Sequence, residues 1–219
     1  MILTAVAAMA VLHAGQSAPR KPRRPQAAAP PSPPALVTIA SVRATAPVAH
    51  DPDDPAIWRH PTDPARSLVL GTDKFAVEGA LYVFGLDGAV RQVIAPLDRP
   101  NSVDVEYGVR LGSRVVDVAV VTERKQHRLR IFAIPADGGL LTDLAPGGLP
   151  VLQGMTGLES EPMGVALYKR ASDGAVFAIV APKIGGSTDY LWQYQIEADA
   201  DEAPRLRQVR RFGLSLIHI

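Results

Sequence analysis

The 219-residue chain is 47% apolar and 21% charged, close to globular averages, which excludes wholesale disorder and allows one domain with a buried core. A formal net charge of +1, with no dense basic run in the body of the chain, excludes nucleic acid as an expected partner. Cysteine is absent, which removes disulfides, thiolate metal sites and a cysteine nucleophile, so any metal must be held by oxygen or histidine.

In chain order, Ile2 to Leu12 is an apolar stretch followed by the small residues Ala14, Gly15, Ser17 and Ala18. It has the length of a signal-peptide hydrophobic region and is too short to span a bilayer. The usual basic start is missing, yet a signal peptide over residues 1–18 remains the expectation, and with it a secreted or periplasmic location. Residues 19–35 are dense in proline and alanine and read as a linker, since proline withholds backbone donors and favours extended geometry. The basic group Arg20, Lys21, Arg23 and Arg24 is expected to be solvated, so any membrane contact would come through the leader.

From residue 36 to residue 213 the pattern is alternation and short apolar runs. Strands are expected at Leu36 to Ala40, Ser67 to Gly71, Ala80 to Phe84, Val115 to Thr122 and Leu129 to Ile134, then at Val165 to Lys169, Val176 to Ala181 and Leu191 to Ile196. Turn signals separate them at Asp87-Gly88, Asp137-Gly138-Gly139, Gly147-Gly148, Asp173-Gly174 and Gly185-Gly186. The fold class is all-β. A theme recurs three times: a strand, a cation just after it, then a strand carrying Tyr, Phe or Trp. The cations are Lys74, Arg124 and Lys183, spaced 50 and 59 residues apart, close to one four-stranded propeller blade. Repeated blades would set them around a common axis.

The run from His50 to Trp58 packs Asp51, Asp53 and Asp54 between Pro52 and Pro55, whose fixed φ keeps the segment from becoming helix. Local rules leave two readings: an Asp-rich turn, or an oxygen cluster for a hard divalent ion such as calcium. Asn101, Asp104 and Glu106 lie in a second acidic segment, Glu159 and Glu161 in a third. Together with three repeated cations they suggest a site for both a metal and an anion, and phosphate is the anion that needs both.

"DPDDPAIW", "NSVDVEYG", "VVTER", "EPMGVALY" and "LWQYQI", in that order, resemble the β-propeller phytases, with the similarity running from about His50 to Phe212. The resemblance implies a six-bladed propeller in the full family, here an incomplete one of three to four blades. It implies a monomeric, calcium-dependent phosphomonoester hydrolase acting on a small molecule, phytate. Carried over by position, Lys74, Arg124 and Lys183 match the catalytic, phosphate-binding cations, and Glu161 matches an acidic substrate-site position. Asp54 and Asp104, with Asp53 and Asn101, lie in the calcium-linked motifs. Another branch of the family carries a second lysine where Phe75 stands and a site tyrosine where Met163 stands; the Pro-Met-Gly form here resembles the Gram-negative branch.

The implied chemistry is attack by water with calcium assistance, with Lys and Arg stabilising charge on the phosphate and no protein nucleophile. The five histidines, His13, His50, His60, His127 and His218, form no histidine-phosphatase pattern, and His50 is expected at the surface. The terminal "LSLIHI", residues 214–219, is unlike the family and is expected to be a non-native tail, with the fragment inactive as it stands. The alternative function is a non-catalytic propeller that binds a ligand or partner through the same face.

Overall fold

Thirteen strands in three antiparallel sheets make up the described residues, 39–213 of a computed structural model. The expected leader, the linker and the hexapeptide tail lie outside the described residues. So do residues 36–38 of the first expected strand, and its described end, Ile39-Ala40, carries no regular structure. Among the described residues, those from Ser41 to Gly213 belong to one compact unit.

The first sheet runs β1 (Pro52–Trp58), β2 (Leu68–Asp73), β3 (Gly79–Gly85), β4 (Val90–Leu97), each paired with the next. The second runs β5 (Pro100–Leu111), β6 (Arg114–Glu123), β7 (Arg128–Ile134), with its outer position shared by the two-residue strands β8 (Thr142–Asp143) and β9 (Leu149–Pro150). The third is β10 (Pro162–Lys169), β11 (Val176–Pro182), β12 (Leu191–Ala198), β13 (Pro204–Phe212). These are three blades of a β-propeller. The first strand of each sheet is innermost, and β1, β5 and β10 approach one another in sequence.

Packing between blades follows from strand alternation. On β6, Val118 and Val120 enter the core shared with the third sheet, through Val165, Val180 and Trp192. Their neighbours Ala119 and Val121 enter the core shared with the first sheet, through Trp58, Leu70 and Leu81. Both faces of this middle blade are buried, which is why "VAVV" reads as a continuous apolar run. The other face of the first sheet is covered by its own lead-in segment, whose Ala46 and Val48 pack on Ala80, Tyr82 and Phe84.

Inner strands of successive blades share no ladder, so side chains stitch them together. The Asp54 carboxylate accepts from Ser102 Oγ at 2.8 Å and Val103 N at 3.0 Å, tying β1 to β5. Asp104 accepts from Leu167 N at 2.7 Å, tying β5 to β10. At the far end Trp58 Nε1 donates to Asp117 at 2.8 Å.

The expected turn signals fall between strands, but β1, β4, β5, β8, β9 and β13 were not expected as strands. The inner ones open on Pro52 and Pro100, which is tolerated because a strand's first residue can forgo a ladder donor. They also interrupt their apolar residues with polar ones, which breaks the alternation signal. The acidic run is therefore the innermost strand of the first blade, with a register irregularity between Pro52 and Pro55, and not a free turn.

Gly79 marks a close approach behind this end of the blade. A Cβ there would meet the carbonyl oxygens of Phe75 at 2.5 Å and Asp73 at 2.6 Å, and Pro100 Cδ at 2.6 Å. Backbone on two sides cannot give way cheaply. Gly79→Ala is expected to cost about 2 kcal/mol in urea unfolding, as overpacking does, with the Asp73–Phe75 loop displaced.

Candidate active site

Each blade builds the same corner. The residue before the inner-strand proline offers its carbonyl to the amide of the residue just past the second strand. Lys74 N donates to Asp51 O at 2.8 Å, Arg124 N to Arg99 O at 3.2 Å and Lys183 N to Glu161 O at 2.8 Å. The three cations thus follow the second strand of each sheet, because in the first two blades an inner strand that the sequence did not signal precedes it, and in the third the expected strand Val165–Lys169 is the inner one. They occupy equivalent corners at the same end of three consecutive blades, as the repeat in the sequence implied.

Their side chains differ in partnership. Lys74 Nζ reaches Asp53 at 2.9 Å and Asp51 at 3.7 Å, and the Asp53 hydrogen bond raises its pKa above the ordinary lysine value. Arg124 is buried, its Nε donating to Glu161 Oε2 at 2.5 Å, while Lys125 Nζ holds Glu161 Oε1 at 2.6 Å. Burial pushes the Glu161 carboxyl up, but the bonds from Lys125 and Arg124 outweigh it and keep the group below its ordinary range. Among the described residues the terminal nitrogens of Arg124 have no acceptor, so its guanidinium is anchored at one edge and open at the other. The Lys183 side chain is exposed and also has no partner there. Glu161 sits among the cations as the anchor of Arg124.

Behind the first two cations lie buried carboxylates that the sequence did not single out. Asp73, fully buried, accepts from His50 N at 3.1 Å, His50 Nδ1 at 3.0 Å and Asp51 N at 2.8 Å. Glu123 accepts from Asp98 N at 3.0 Å and Arg128 Nε at 2.7 Å. The corresponding residue of the third blade is Pro182. Their signal in the sequence was an acid directly before the cation, in two of three repeats. His50 is exposed, as expected, but its ring is held: Asp73 fixes one edge and Phe75 stacks on its face at 4.2 Å. His60 is buried at the opposite end beside Trp58, and His13 and His218 lie outside the described residues.

The expected metal-linked residues also gather here. Asn101 Nδ2 donates to Asp53 Oδ2 at 3.1 Å, and Asn101 Oδ1 is buried without a partner. An orphaned amide oxygen beside a carboxylate is a donor set that suits a hard cation such as calcium. Asp54 and Asp104 stand next in line, their carboxylates engaged as struts between blades. Among the described residues no three Asp, Glu or His side chains form a ready cage. A cleft of about 540 Å³, lined by Lys169, Asp173 and Glu197, opens at the other end of the inner strands, away from the cations.

The blade array thus gathers cations, carboxylates and an amide oxygen at one end of its inner strands. Residues 1–216 match the family profile described as Phytase. The chain is 31% identical over 166 residues to the 3-phytase of Bacillus subtilis (strain 168), a match covering 74% of this chain and 40% of that relative. The chain belongs to the β-propeller phytase family. It spans less than half the length of the curated relative it matches.

Proposed function

We propose that this chain belongs to an exported, calcium-dependent phosphomonoester hydrolase that releases phosphate from phytate. The observation that carries the reading is the set of equivalent corners, which place Lys74, Arg124 and Lys183 at one end of the blades. Arg124 is held by Glu161 through Nε alone, leaving a fork of donors for phosphate oxygens, the geometry in which guanidinium binds such groups best. Lys74 and Lys183 add point charges on either side. Placed before the substrate arrives, these donors stabilise charge on the phosphate oxygens without reorganising.

Asp53 and Asn101 would hold calcium, with Asp54 and Asp104 closing the set behind them. Calcium, when bound, supplies Lewis-acid neutralisation of the phosphate. Lys74 then exchanges Asp53 for a phosphate oxygen, which frees that carboxylate for the ion. Phe75 and Met163 present apolar surface where another branch of the family places a lysine and a tyrosine, so phosphate contact rests more heavily on the three corner cations.

The test is phosphate release from phytate, with calcium and then with a chelator, by the 219-residue chain and by a version extended to the length of the relative. Chelator-sensitive release by the extended version is the expected result. Calcium binding without release by either would favour a binding propeller, and release insensitive to chelator would remove calcium from the proposal.

A further inference from the structure

Arg99 has left-handed backbone, with φ 60°, a conformation that is costly for any residue with a Cβ and that glycine adopts freely. An arginine kept in such a conformation is a reason to ask what its side chain does. The residue stands directly before Pro100, at the corner position that Asp51 and Glu161 occupy in the other two blades. Its amide donates to Phe75 O at 3.0 Å and its carbonyl accepts from Arg124 N at 3.2 Å, so its backbone is clamped between the Lys74 loop and the Arg124 corner.

Its side chain is unfinished. Nε is buried and has no hydrogen-bond partner, a condition that proteins rarely leave uncorrected. Lys74 is paired with Asp53, and Arg124 with Glu161, but among the described residues no carboxylate pairs with Arg99. While Asp53 raises the pKa of Lys74, the positive charge of Arg99 opposes that rise, which puts the two cations within electrostatic reach. Beside a lysine already paired, Arg99 is a second cation whose buried donor still lacks an acceptor.

We infer that Arg99 is a further phosphate-binding residue, its guanidinium meeting the oxygens of a tetrahedral oxyanion at the seam between the first and second blades. This rests on the phosphate reading above and adds a residue to it. The guanidinium suits the task because its donors form a planar fork, and the clamped backbone holds that fork in place before the ligand arrives.

The test is calorimetric titration of the 219-residue chain with inorganic phosphate in the presence of a chelator, so that no metal contributes. Arg99→Gly and Arg99→Asn are compared with Lys74→Ala and with the unaltered chain, and each is melted alongside. Glycine and asparagine accept left-handed backbone, so both Arg99 variants are expected to melt at or above the unaltered chain. Both are also expected to bind phosphate about tenfold more weakly, the loss typical of one charge-assisted contact. Unchanged phosphate affinity in both Arg99 variants, with affinity lost in Lys74→Ala, would reduce Arg99 to a backbone element and leave the phosphate reading standing. No phosphate binding by the unaltered chain, in chelator and in a repeat titration with calcium, would overturn both.

Discussion

Replacing Arg124 by alanine is expected to weaken phosphate binding about a hundredfold, the scale on which one preorganised donor to an oxyanion is felt. The same change should destabilise the chain by about 3 kcal/mol, because it leaves a buried carboxylate short of its closest partner. The buried partner is Glu161, which Arg124 meets at 2.5 Å with both side chains 8% exposed. Lys125 remains on the other oxygen and limits the loss. Combining Arg124→Ala with Glu161→Gln should recover most of the stability, since no uncompensated charge stays buried, and none of the phosphate binding. Urea unfolding and phosphate titration of the single and double variants separate the two effects.

The pH dependence follows from the same pair. The folded-state pKa of Glu161 lies below its ordinary value of 4.5, so its ionisation contributes stability that is fully present above that value. The contribution is lost as pH falls through the folded-state pKa. Glu123 behaves alike: burial pushes its carboxyl up, but bonds from Arg128 and the Asp98 amide hold it below the ordinary range. The chain should therefore lose stability on the acid side of pH 4.5, and Arg124→Ala should make that decline shallower by removing one of the groups that depress Glu161.

Asp73→Ala is expected to cost about 4 kcal/mol, because three donors aimed at a fully buried carboxylate lose their acceptor at once. Asp73→Asn keeps one acceptor oxygen and should cost about 2 kcal/mol. Both changes should also loosen the entry to β1, since Asp73 fixes the amides of His50 and Asp51, and Asp51 in turn receives the Lys74 amide. Phosphate affinity should fall with stability in this series, whereas the Arg99 variants lose affinity alone. That contrast distinguishes residues that build the corner from those that meet the ligand.

Local pattern was enough to read the all-β class, the blade-length repeat and the equivalence of Lys74, Arg124 and Lys183. Strand alternation, turn residues and repeat spacing are properties of neighbours in the chain, and the middle strands of each sheet follow them because both their faces are apolar. The family motifs were legible for the same reason, being contiguous. Edge strands such as β13, with exposed arginines at 205, 207, 210 and 211, and inner strands such as β1 and β5 were not, because polar residues break the apolar alternation that a core would impose.

The tertiary structure alone decided who meets whom. Asp54 joins Ser102 across 48 residues and Asp104 joins Leu167 across 63, so two acids read as metal-linked are also the struts between blades. Glu161, expected among the substrate-binding groups, anchors Arg124 from 37 residues away. The buried Asp73, the open donor of Arg99 and the second clasp from Lys125 left no trace in spacing. Burial and pairing at a corner depend on where separate blades come together, and no local periodicity encodes that.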